Sequence, residues 1–193
     1  MSCHLHVNRP ATAMAGPATA DLRHEHEVIL RALAVLERVA SRLVSSPPVS
    51  ESTLTDLVQL LQTFADRCHH GKEEDQLFPA MRAKGVGDTL AIFREEHDEG
   101  RRYLRTLASH GASSTERAAA ARRYVALLRD HIERENEVLF PMADGLFTAE
   151  EHAALARAYE DVELQVVGAG GHEGLLATLA RLDAAVPRAP VAP

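Results

Sequence analysis

Two copies of one short motif hold the residues best suited to chemistry. His69 and Glu73 precede a Leu-Phe-Pro tripeptide at 77–79, and His131 and Glu135 precede the same tripeptide 62 residues later. An offset of four residues places two side chains on one face of an α-helix. Each copy therefore directs an imidazole and a carboxylate the same way, and these are ligands that first-row metal ions accept.

Each motif also has a partner upstream. The pairs Glu25-His26 and Glu96-His97 lie 71 residues apart, and both histidines are followed by leucines at +7 and +10. The sequence therefore predicts an internal repeat in which a pair of helices occurs twice, and this repeat bears on the whole fold. We predict four helices, each with one histidine directed toward a shared centre.

Adjacent histidines in the second helix leave two possible registers. His69 and Glu73 continue an apolar face that includes Ala65, whereas an α-helix rotates His70 and Glu74 by about 100° from it. His69 and His131 also both stand ten residues before a proline. We choose His69 and Glu73 and expect alanine at position 70 or 74 to leave bound metal nearly unchanged; the other register stays open. In the first helix, His26 lies on the apolar stripe and His24 does not.

Composition favours an all-α protein around these residues. The 193 residues are 46% hydrophobic but only 4% aromatic, with abundant alanine and leucine. We predict a disordered lead-in at 1–20, one domain at 21–186 and a loose tail at 187–193. The domain has its four-helix core at 21–142 and further C-terminal helices at 148–186, packed on the bundle.

Charge and apolar runs exclude several classes of protein. A net charge of −7 argues against a nucleic-acid binder. No apolar run approaches the ~20 residues that span a bilayer, so we predict a cytoplasmic protein without membrane contact. Two cysteines, Cys3 and Cys68, are too few for a disulfide framework. Cys3, His4 and His6 form a weak metal-binding cluster on a flexible end.

A purely structural explanation of the motifs, as exposed helix faces, accounts for them less well than a metal site does. A single His-Xaa3-Glu pair is usually a solvated helix face. Glu73 and Glu135, however, continue apolar stripes, and a buried unpaired carboxylate costs several kcal/mol or becomes protonated. Six such residues in duplicated register favour a bound cation.

This doubled pattern resembles the hemerythrin-like (HHE cation-binding) family over about residues 20–142. The resemblance implies an up-down four-helix bundle that holds two iron ions in an oxo- or hydroxo-bridged non-haem centre, with the two carboxylates as bridges. The residues that match the family's ligands are His26, His69, Glu73, His97, His131 and Glu135.

Two departures from the family pattern bear on the ligand set. Oxygen-carrying members have a further histidine where this chain has Phe93, and their last carboxylate lies at the position of Asn136. The glycine-rich stretch before His172 is similar to a C-terminal element of some bacterial members. His172 is therefore a candidate for the missing nitrogen ligand.

The expected function is binding of O2, NO or H2O2 for sensing, detoxification or storage. An enzyme with peroxidase, catalase-like or NO-reducing activity is the first rival. It would need a polar group that moves protons near the open position, for which Tyr124 and His172 are candidates. An iron store or iron-responsive regulator is the second rival. The residues alone do not rank these functions, and the oligomeric state is open.

Overall fold

The computed structural model describes residues 16–45 and 49–186, and this part of the chain forms six helices and no strand. Cys3, His4, His6 and the predicted tail at 187–193 lie outside the described residues. The helix bounds are α1, Pro17–Arg42; α2, residues 51–83; α3, Asp88–Ala108; α4, residues 114–146; α5, Ala149–Val166; and α6, Gly171–Ala185.

The first four helices form the predicted up-down bundle. Each contacts the next, and α4 closes the ring by packing along α1. The start of α1 corrects one predicted boundary, because the helix begins at Pro17 rather than at residue 21. Thr19 is fully buried, and both its hydroxyl and the Gly16 amide donate to the Asp144 carboxylate. These bonds fasten the first turn of α1 to the end of α4.

The apolar core is divided into two clusters by the histidines. Along α1, Leu22 belongs to one cluster and Ile29 to the other, with His26 between them. His97 has the same position between Phe93 and Leu104. A layer of polar side chains thus crosses the bundle between two apolar layers, which keep water from it.

Three π-helical segments interrupt the α-helices at this layer. Gln62–His70 and Glu73–Leu77 lie within α2, and Glu135–Leu139 lies within α4. In the first of them the Gly71 amide bonds to the Asp66 carbonyl, five residues back. This wider turn rotates successive residues by less than the α-helical 100°, and π-bulges are frequent at functional sites. His69 and His70 are consequently both buried.

The C-terminal helices pack on the bundle, as predicted. Helix α5 starts with a capping box between Thr148 and Glu151 and lies against α1 and the π-helical part of α2. Helix α6 lies against α1 and the first half of α2. Among the described helices, none combines the length and apolar character that crossing a bilayer requires.

Candidate metal centre

Seven buried side chains form two adjoining groups of metal-ligand type at the middle of the bundle. We name them site A, which consists of His70, Glu73, His97 and His131, and site B, which consists of His26, His69, Glu73 and Glu135. Within each group the candidate ligand atoms all lie within 4.8 Å of one another. The six predicted bundle residues therefore come together, and His70 joins them.

The two carboxylates are placed between the groups. Glu73 has Oε2 3.5 Å from His97 Nε2 and Oε1 3.7 Å from His69 Nε2. Glu135 has Oε1 3.2 Å from His131 Nε2 and Oε2 3.2 Å from His26 Nε2. Each carboxylate thus presents one oxygen toward each site, which is the arrangement of a bridge between two cations.

Unpaired polar atoms show that the residues fit a metal. Among the described residues, eleven buried side-chain nitrogen and oxygen atoms have no hydrogen-bond partner, and eight belong to His26, His69, His70, Glu73 and Glu135. Buried polar groups without partners are costly, and such a concentration in one layer needs a compensating charge. His97 Nε2 and His131 Nε2 lie 3.0 Å apart, about the separation of two ligand atoms ~2.1 Å from one ion at right angles.

Four of the five imidazoles have a carboxylate or amide at Nδ1, the ring nitrogen that faces away from the candidate metal, and this partner orients the ring. The Nδ1 atoms of three histidines lie 2.8 Å from acidic side chains, in the pairs His69–Glu25, His97–Glu74 and His131–Glu96. His26 Nδ1 lies 3.0 Å from the Asn136 amide oxygen. Acceptors at Nδ1 fix the tautomer and leave Nε2 free to bind a metal.

These orienting residues follow the internal repeat. We predicted no role for Glu25, Glu96 and Asn136, and Glu74 entered only as a ligand in the alternative register. The acid of each Glu-His pair reaches the histidine of the following helix, since Glu25 contacts His69 and Glu96 contacts His131. Glu74 and Asn136 each directly follow a candidate ligand carboxylate and contact His97 and His26. The sequence signal was the repeated acid beside each histidine.

A buried ion pair stabilises the orientation of His69. The Lys72 ammonium, itself buried, donates to Glu25 and also to the partly exposed Glu163 of α5, 3.2 Å away. Burial alone would raise the pKa of Glu25, but the hydrogen bond with His69 and the Lys72 charge outweigh it and lower the pKa to about 2. The carboxylate behind His69 therefore stays ionised.

Burial also sets the protonation of the ligand side chains. It lowers the pKa of His70 to about 4 and that of His97 well below its usual value. Burial and the nearby Glu135 raise the pKa of Glu73 well above its usual value. The neutral imidazoles of His70 and His97 are ready to bind a cation. Burial works against the charge of His131, but Glu135 and Glu96 outweigh it and raise the pKa of His131 to about 9. His131 and Glu73 must therefore each release a proton to bind a metal.

Two predictions about individual residues, His70 and His172, change with these positions. His70, expected to point away, lies in site A with its ring stacked 3.9 Å from that of His97. His70 is thus a candidate for the nitrogen ligand that Phe93 does not supply. His172 lies outside both sites, on α6, where it meets the Phe64 ring edge-on and Glu163 at 3.7 Å. Cys68 is buried but belongs to neither site, and burial raises the pKa of its thiol to about 12.

Comparison with known proteins adds one family and several relatives. Uncharacterised proteins of Mycobacterium tuberculosis and Mycobacterium bovis are 26% identical over 182 residues, which cover 86% of this chain and 70% of theirs. No solved structure matches the chain. The model of the hemerythrin HHE cation-binding domain matches residues 18–143, from the first turn of α1 nearly to the end of α4. The chain therefore belongs to the hemerythrin HHE cation-binding domain family.

Proposed function

We propose that the protein is a cytoplasmic non-haem di-iron protein that binds a small ligand of the O2, NO or H2O2 class. The observation that carries this proposal is the pair of buried sites that share Glu73, with Glu135 of site B also reaching His131 of site A. Five imidazoles and two carboxylates suit two first-row ions with bridges between them. Structural zinc sites usually contain thiolates and stand alone, and Cys68 is in neither site.

The two sites have unequal numbers of protein ligands. With both carboxylates as bridges, site A would have three imidazoles and two carboxylate oxygens, whereas site B would have two of each. Site B would therefore leave an ion the larger number of exchangeable positions. An iron pair supplies redox-active binding of a small molecule there, while the chain provides its ligands, their orientation and an apolar surrounding.

Aromatic rings limit access to this centre. Phe140 stacks on the His26 ring at 5.3 Å, Phe78 stacks on His97 at 5.9 Å, and Phe93 meets His131 edge-on at 5.5 Å. These rings belong to one apolar cluster that covers the ligand layer. Such packing admits a diatomic or peroxide-sized molecule more readily than a larger substrate, and this favours small-ligand binding over iron storage.

Metal analysis is the direct test of the proposal. Protein purified after growth in iron should contain about two iron ions per chain, the content of a two-metal site. An absorption spectrum measured alongside should show the near-ultraviolet bands of a bridged di-ferric centre. The double variant His26→Ala/His131→Ala, which removes one ligand from each site, should lose most of the iron. One zinc and no iron in the wild type would contradict the proposal.

A further inference from the structure

A second unpaired buried group lies beside the ligand layer and belongs to none of the candidate ligands. The hydroxyl of Tyr159, on α5, is buried and has no hydrogen-bond partner among the described residues. Leaving such a group unpaired costs about 1–3 kcal/mol. A bound ligand that accepts a hydrogen bond from the hydroxyl would remove this cost.

The surroundings of Tyr159 place it on the side of site B. Helix α5 packs against α1 and α2, the helices that carry the site B ligands His26 and His69. Tyr159 also belongs to the apolar cluster whose phenylalanine rings cover the ligand layer as a whole. Burial is the main cause that raises the pKa of the Tyr159 phenol, and the Glu73 and Glu25 carboxylates are the next largest causes. One of these carboxylates is a bridge candidate and the other orients His69.

We infer that the Tyr159 hydroxyl donates a hydrogen bond to the small ligand bound at site B. This inference rests on the proposed function and extends it to the residue that recognises the ligand. Site B has the larger number of exchangeable positions, and the phenol lies on that side with its hydroxyl unpaired. Its helix follows the segment of residues 18–143 that the family model matches, so the donor comes from the C-terminal part of the chain.

Tyr124 provides a matched comparison within the same protein. Its hydroxyl is also buried and unpaired, but it lies on α4 beside Gly100, and the acidic group that most affects its pKa is Asp66. Asp66 in turn lies 3.8 Å from His70, a ligand of site A. Tyr124→Phe thus removes an equivalent hydroxyl near the site that has fewer exchangeable positions.

Azide, a small anion, is the probe. We would load wild type, Tyr159→Phe and Tyr124→Phe with iron, oxidise them, measure iron per chain and titrate each with azide by absorption. Tyr159→Phe should keep its iron and bind azide about ten- to hundredfold more weakly, the effect of losing a hydrogen bond to a charged group. Tyr124→Phe should bind azide like the wild type. The infrared stretch of bound azide should shift between H2O and D2O in the wild type but not in Tyr159→Phe.

The outcomes separate this inference from the proposed function. A wild type that retains no iron overturns both. Iron-loaded proteins with equal azide affinities, or with the same solvent isotope shift, overturn the donor role and leave the di-iron proposal standing. A visible charge-transfer band that is lost in Tyr159→Phe would show that the phenol binds the metal directly. This result would also overturn the role of Tyr159 as a hydrogen-bond donor. In the metal-free protein Tyr159→Phe removes an unpaired buried hydroxyl, so this variant should unfold at the same or a higher temperature than metal-free wild type. A lower temperature would show that the hydroxyl has a partner within the chain and would overturn the donor role.

Discussion

At the scale of single residues, the histidines of the centre divide into those with and without a close partner. Four have an acceptor within 3.0 Å of Nδ1, but His70 has only Asp66, at 3.8 Å, and both of its nitrogens are unpaired. Nothing in the described part of the chain compensates the burial of this imidazole, and a metal at site A would do so. His70 is therefore the residue whose substitution best tests site A.

We expect His70→Ala to lose most of the iron at site A, because it removes one of three imidazoles there. His172→Ala is the matched control, since His172 lies outside both sites. This variant should retain two iron ions per chain. Elemental analysis of both variants, with far-ultraviolet circular dichroism to confirm folding, is the measurement. Full iron in His70→Ala together with iron loss in His172→Ala would favour the ligand set predicted from the sequence, which includes His172 and not His70.

At the scale of helices, the packing of α3 on α4 depends on a glycine beside the ligand layer. A Cβ atom at Gly100 would lie 3.3 Å from Tyr124 Cε2 and 3.5 Å from Leu128 Cδ2. The first of these contacts is tight, so a larger side chain must push the two helices apart. Gly100 lies one turn after His97, and the separation would also displace this site A ligand from His131.

Gly100→Val should therefore lower the free energy of unfolding by about 1–3 kcal/mol, the usual cost of overpacking. Gly174→Val is the comparison, because a side chain at this helical glycine meets no atom within 4 Å. Gly174→Val should leave the free energy of unfolding unchanged or raise it slightly, since glycine is a poorer helix former than valine. Urea unfolding of the two metal-free variants measures the difference, and equal effects would show that α3 and α4 adjust without strain.

At the scale of the whole molecule, stability and metal binding are coupled through the buried carboxylates. In the metal-free protein Glu73 has a pKa well above its usual 4.5, because of burial first and Glu135 second. The folded chain therefore binds a proton that the unfolded chain releases above pH 4.5. Stability contributed by this group consequently falls as the pH rises. A metal ion bound at Glu73 would replace the proton, so its stabilising effect should grow with pH.

Metal-free Glu73→Gln should become more stable relative to metal-free wild type as the pH rises from 5 to 8. Glutamine has no proton to lose, and the gap should widen by up to about 1.4 kcal/mol per pH unit, the slope of one proton. Glu137→Gln, a change at an exposed carboxylate, should show no such trend. Urea unfolding at each pH measures the gap, and a gap that narrows would reverse the direction assigned to the Glu73 pKa.

The sequence by itself determined the family, the all-α class and six of the seven candidate ligands that the structure brings together. It did so because the internal repeat and the apolar spacing are local properties, and because an α-helix fixes which side chains share a face. Only the tertiary structure decided the position of His70. The π-helical turn at Gln62–His70 changes the rotation per residue, and no spacing rule for α-helices accounts for it.

Tertiary structure also decided what lies behind and beside the centre. Glu25 reaches His69 across 44 residues of chain, and helix α5, which carries Tyr159, packs on the helices that hold the site B histidines. Both relations depend on how helices pack after a turn, which residue spacing within one helix does not encode. The same holds for His172: helix α6 packs on α1 and the first half of α2, and this packing leaves His172 against Phe64 and outside both sites.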